Sequence, residues 1–202
     1  KSELQKMLGL PVKDVPVIAM ISRLVSHKGL DLVKAVAEDM LHEDVQFVLL
    51  GTGDVAYEEY FKDLAHKYEG KVSANIAFNG DLSRKIYSGA DIFLMPSISE
   101  PCGLSQMIAS RYATVPVVRE TGGLYDSIKP YGAGGNGFTF SSCNAYDMLY
   151  VIHEAFEVYK DLYDDLEESF KGGYGDKLAD VALRMGYCYE NGEGVEKDVT
   201  KA

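Results

Sequence analysis

The chain has 202 residues, 47% hydrophobic and 25% charged, with 20 basic against 31 acidic groups and a net charge of −11. This is the composition of a globular protein, large enough for one sizeable α/β domain with a small appendage. The acidic balance argues against nucleic acid and anionic membrane as partners, no run is long enough to span a bilayer, and KSELQKMLGL lacks the apolar core of a signal peptide.

Apolar runs alternate with helical patterns, which predicts a parallel sheet. VPVIAMIS (15–22) and VQFVLLG (45–51) read as strands buried on both faces, with a helix over 29–42 between them. A second helix covers 56–70 and stops at Gly70. VSANIAFNG (72–80) is a weaker strand, followed by a helix over 82–90 and the strand DIFLMPS (91–97). Then come a helix over 104–113, the strand VPVVRE (115–120), a short strand GFTFS (137–141) and a long helix over 144–170 capped by Asn144. The fold class expected is a Rossmann-like, doubly wound α/β sheet of about six strands over 1–170. Its ligand would lie outside the carboxyl ends of the strands. The loops 22–29, 51–55, 78–82, 97–104 and 119–124 are therefore the places to look. Residues 171–202 begin with a Gly-rich break and read as a separate unit.

Four of those loops carry groups that packing does not demand. In SRLVSHKG, Arg23 and Lys28 stand between a buried strand and a helix start, a setting that favours a diphosphate. Ordinary surface charge is the alternative. In GTGD, Gly51, Thr52 and Gly53 let backbone approach a ligand, or simply make a turn. In SEPCGLSQ, Glu100 is placed to accept from sugar hydroxyls or to cap a helix, and Gly103, Leu104 and Ser105 offer amides. In RETGG, Gly122 and Gly123 allow tight backbone, while Arg119 and Glu120 could pair with each other. GAGGNG (132–137) matches a dinucleotide fingerprint literally. It is followed by a strand rather than a helix, so an NAD site is rejected. His27, His42, His66 and His153 show no ligand spacing, so no metal and no cofactor is expected. Cys102, Cys143 and Cys188 are odd in number and lack a CxxC pair, which points to a reducing cytoplasm and no disulfide scaffold.

Taken in order, these pieces resemble the C-terminal half of bacterial glycogen and plant starch synthases, retaining hexosyltransferases of glycosyltransferase family 5 with the GT-B fold. The residues that carry the likeness are Ser22-Arg23-Leu24 with Lys28-Gly29-Leu30-Asp31-Leu32, Gly51-Thr52-Gly53-Asp54, Gly89-Ala90-Asp91 leading to Pro96-Ser97, the long EPCGLSQMIASRYATVPVVRETGGLYDS, and GNGFTF. The resemblance implies that Arg23 and Lys28 hold the donor diphosphate and that Glu100 hydrogen-bonds the transferred glucose. It implies that Cys102, Gly103, Leu104 and Ser105 line the sugar and phosphate site, that Thr121 and Gly122 border the phosphates, and that Phe78 stands against the base. The implied activity moves glucose from ADP-glucose or UDP-glucose to the non-reducing end of an α-1,4-glucan, with no metal in the cleft. The likeness also has departures. Ala113 replaces the glycine usual after Arg-Tyr, Ser105 a common threonine, and Ile108 the second glutamate of some relatives. The acceptor-binding N-terminal half is not in this sequence, so the chain is expected to be a fragment, inactive alone. LADVALRMGYCYENGEGVEKDVTKA resembles a single Sel1-like repeat that would recruit a protein partner. The competing reading is a non-catalytic scaffold with a vestigial sugar site.

Overall fold

In the computed structural model the described residues are 1–132 and 134–171, with side chains described through Asp161. The segment expected to form a Sel1-like repeat lies, from residue 172 onward, outside the described residues.

Six parallel strands form one sheet in the order β3-β2-β1-β4-β5-β6: β1 Val17–Ile21, β2 Gln46–Leu50, β3 Val72–Asn75, β4 Ile92–Met95, β5 Val115–Arg119 and β6 Phe138–Phe140. β1 is registered with Val17 opposite Gln46 on one side and Ile18 opposite Ile92 on the other. Strand order therefore reverses between β1 and β4. This is the doubly wound arrangement, in which the crevice at the reversal binds ligand. The central strands lie between two helical layers, which is why their sequences are continuous apolar runs rather than alternating ones. Ile18, Phe47, Phe93 and Leu94 are all fully buried.

On one face lie α2 Leu30–His42, α3 Val55–Lys67 and α7 Ala145–Lys171, which bury Val36, Met40, Phe61 and Ile152. On the other face lie α1 Ser2–Met7, α4 Gly80–Gly89, α5 Ser105–Arg111 and α6 Gly122–Ser127, which bury Leu4, Ile86, Ala109 and Leu124. Asn144 caps α7 as the sequence reads, its Oδ1 accepting the Tyr146 amide at 2.8 Å, and α4 has a cap in Asn79, whose Oδ1 accepts the Leu82 amide at 3.0 Å.

The differences from the sequence reading are local. α1 was not expected. It is anchored by buried Gln5, whose Nε2 donates to Gln46 Oε1 at 2.9 Å and to Lys13 O at 2.8 Å. α6 starts at the glycine pair read as loop. The strand expected over 72–80 ends at Asn75, because its neighbour β2 ends at Leu50, the residue paired with Asn75. The helix expected over 104–113 spans only seven residues. It is followed by Ala113 in the left-handed region, φ 61°. Among the described residues no helix is long and apolar enough to cross a membrane, and no group of three or more His, Cys, Asp or Glu could hold a metal ion.

Candidate functional site

The site grows out of the strand reversal. Past β1 the chain makes a 3-10 turn, Ser26–Lys28, and enters α2 through Gly29. Gly29 is buried with φ 76°, and a Cβ there would lie 1.9 Å from the carbonyl oxygen of Pro96. Only glycine permits this approach. It draws the loop after β1 against the end of β4. The two loops are then stitched together: the amides of Ile98 and Ser99 donate to His27 O at 2.9 and 3.3 Å.

This stitching brings Lys28 to Glu100. Lys28 Nζ lies 2.5 Å from Glu100 Oε2, and their side chains are only 16% and 10% exposed. The Ser97 hydroxyl reaches the same carboxylate oxygen at 3.3 Å. A charge pair this far from water is a costly arrangement unless its members also serve a ligand or are fully bonded. Among the described residues both side-chain contacts to this carboxylate fall on Oε2, which leaves Oε1 to accept from a ligand. Arg23 lies at the start of the same loop, exposed. Among the described residues its guanidinium has no partner. One cation is thus spent on a carboxylate and a second stands free at the strand reversal.

The GTGD loop after β2 abuts this edge. Leu24 and Gly53 form a parallel bridge, and Cβ atoms at Gly51 and Gly53 would lie 1.9 Å from Ser22 O and 2.2 Å from Leu24 O. The glycines therefore let two loops touch. Their amides are engaged, Gly51 N on Asn75 O at 3.1 Å and Gly53 N on Glu58 Oε1 at 2.9 Å. Thr52 is exposed between them. Phe78, past β3, is 98% exposed on the same edge of the sheet.

Beyond Glu100 the backbone turns sharply. Gly103 has φ 69°, and Leu104, 63% exposed, precedes α5, which opens at Ser105. Cys102 is exposed. Thr121 and Gly122 open α6, whose Gly123 amide donates to Glu100 O at 3.0 Å. Cβ atoms at Gly122 and Gly123 would lie 2.2 Å from Glu100 O and 1.7 Å from Cys102 O. α6 thus rests directly on the Glu100 turn. The alternative in which Arg119 and Glu120 pair with each other does not hold. Glu120 Oε1 accepts from the Thr139 hydroxyl at 2.7 Å, and Arg119 bonds backbone carbonyls. Gln106 was passed over in the sequence. It is fully buried, and its Nε2 donates to Gly103 O and the Ser127 hydroxyl, both at 3.0 Å, tying α5 to α6. A glutamine three residues behind a Gly turn was the available signal. Among the described residues its Oε1 is buried without a partner.

The order of loops and their chemistry coincide with a known sequence pattern. A family model described as "Glycosyl transferases group 1" matches residues 3–170. The chain belongs to the group 1 glycosyl transferases. Within that family, a glycogen synthase of Clostridium acetobutylicum is 56% identical over 159 residues, covering 77% of this chain and 33% of that protein. A glycogen synthase of Geobacillus thermodenitrificans is 50% identical over 181 residues, covering 86% and 37%. The catalytic domain of starch synthase IV from Arabidopsis thaliana, bound to ADP and acarbose, superposes with a TM-score of 0.76 at 31% identity, over 98% of this chain and 40% of that one. Sucrose-phosphate synthase from Thermosynechococcus elongatus, at 19% identity and a TM-score of 0.62, shares the fold. The chain spans about a third of the length of its glycogen synthase relatives.

Proposed function

We propose that this chain is the donor-binding part of a retaining glucosyltransferase that extends an α-1,4-glucan from a nucleotide sugar. The single observation that carries this is the meeting of Lys28, Glu100 and the loop of Arg23 at the strand reversal. In this reading Arg23 and Lys28 face the diphosphate. As the bond to glucose breaks, negative charge grows on the leaving phosphate, and fixed cations stabilise it where it grows. Glu100 accepts from glucose hydroxyls through the oxygen that Lys28 leaves free. Gly51, Thr52 and Gly53 wall the phosphate side. Cys102, Gly103, Leu104 and Ser105 form the turn under the sugar, and Thr121 and Gly122 close its other side. Phe78 offers a bare ring to the base.

ADP-glucose is favoured over UDP-glucose. The relatives at half identity are named glycogen synthases, and the starch synthase structure holds ADP. The acceptor glucan would meet the part of the relatives that this chain does not span. Residues 171–202, with their Sel1-like pattern, would bind a protein partner. The test is to join the chain to the N-terminal part of a relative and follow glucose incorporation from ADP-glucose into α-glucan. Elongation that falls at least a hundredfold with Arg23→Ala supports the reading, and elongation indifferent to both Arg23→Ala and Glu100→Gln sinks it.

A further inference from the structure

We propose that Arg119 is a positioning residue for sugar recognition, acting through Glu100. The inference rests on the donor-site reading for its meaning but not for its geometry. Arg119 ends β5, and the guanidinium of this half-buried residue spreads over three backbone carbonyls. Nε donates to Ser97 O at 2.9 Å, Nη2 to Ile98 O at 2.6 Å and Nη1 to Ser141 O at 3.2 Å. Ser97 and Ile98 are the residues that lead into Glu100. Their segment is thus held from both sides: the carbonyls of Ser97 and Ile98 by Arg119, and the amides of Ile98 and Ser99 by His27 O. The segment also carries the Ser97 hydroxyl that reaches Glu100.

A planar fork spreads five donors over three nitrogens and so reaches carbonyls that lie apart, whereas a lysine carries its three donors on a single nitrogen. Among the described residues Arg119 makes no ion pair. Its donors are spent on holding peptide rather than on a carboxylate. Ser97 is buried, so its carbonyl without Arg119 would lose a charge-assisted bond in a place water reaches poorly. The segment would then relax, and Glu100 with it. The diphosphate side, built on the loop after β1, keeps an anchor outside this segment in the Leu24–Gly53 bridge. Arg119 therefore bears on glucose more than on phosphate.

The test has a ligand-free arm and a ligand arm. In urea unfolding, the non-additive factor between Lys28→Met and Glu100→Gln in the unfolding constant should be roughly tenfold in the native background, as for contacting charges. It should fall below about threefold when Arg119→Ala is added. In calorimetric titrations, Arg119→Ala should weaken ADP-glucose roughly tenfold more than ADP, and Glu100→Gln on top should add little, as expected of residues acting as one unit. Arg119→Lys should recover less than half of either loss. A coupling factor unmoved by Arg119→Ala, an equal loss of ADP and ADP-glucose, or full rescue by Arg119→Lys each overturns the proposal. If the native chain binds neither nucleotide, the donor-site reading fails, while the ligand-free arm still decides whether Arg119 sets Glu100.

Discussion

Lys28 and Glu100, 72 residues apart in the chain, meet with Nζ 2.5 Å from Oε2. They follow β1 and β4, which are sequence-distant but adjacent in the sheet. The topology makes the contact, and the pair occupies the one place in a doubly wound sheet where the helices part to leave a crevice.

Glu100→Gln should separate sugar from phosphate. The change removes the acceptor charge for glucose hydroxyls and frees Lys28 from its carboxylate. ADP should bind within about threefold of the native chain, while ADP-glucose should weaken roughly tenfold, the worth of a charged hydrogen bond. Calorimetry with both ligands reads the difference, and an equal loss for the two would count against the assignment.

Gly29→Ala should destabilise the fold by about 3 kcal/mol or more, because a clash with Pro96 O adds to the strain of a positive φ. Gly9→Ala is the internal comparison. Gly9 has φ 70° but nothing within 4 Å of a Cβ, so only the backbone term of about 1 kcal/mol remains. Urea denaturation of both variants isolates the cost of the loop contact that brings Lys28 to Glu100.

Ala113→Gly should stabilise the protein by about 0.5–1 kcal/mol, since Ala113 sits at φ 61° and glycine adopts that region freely. For a domain of this size the melting temperature should rise by about 2 °C. Unchanged or lower melting would show that the left-handed turn after α5 is not under strain.

Asp91 gives a pH signature. Burial pushes its carboxyl above the usual value, against the opposing pull of Lys1, 2.9 Å away, and of the Val17 amide. A carboxyl raised in the folded state binds its proton more tightly there than in the unfolded chain. Stability attributable to this group therefore falls as pH rises from the unfolded value through the folded one. The native chain should gain stability relative to Asp91→Asn as pH is lowered from 7 toward 4. Urea midpoints at stepped pH check the sign.

The strands were legible because burial on both faces writes itself as unbroken apolar runs, as in VIAMI and QFVLL. α1 and α6 were not, because six residues are too few to show a helical period. Glu100 and Lys28 could be named from their loops, but not their direct contact, which depends on the order of strands. The partners of Arg119 were hidden for the same reason. Its neighbour in sequence is Glu120, yet its bonding partners are carbonyls more than twenty residues away on either side. Gly51 and Gly53 were read either as letting backbone approach a ligand or as a simple turn, and the carbonyls of Ser22 and Leu24 lie where their Cβ atoms would be.

The most direct measurement is a calorimetric titration of ADP into this chain and into Arg23→Ala. Arg23 is exposed and without a partner among the described residues, so its loss should leave folding intact. The account predicts saturable, one-to-one binding by the native chain and at least a tenfold loss with Arg23→Ala, as expected for a cation forked on a diphosphate. Equal binding by the two proteins, or no heat from the native chain, would contradict it.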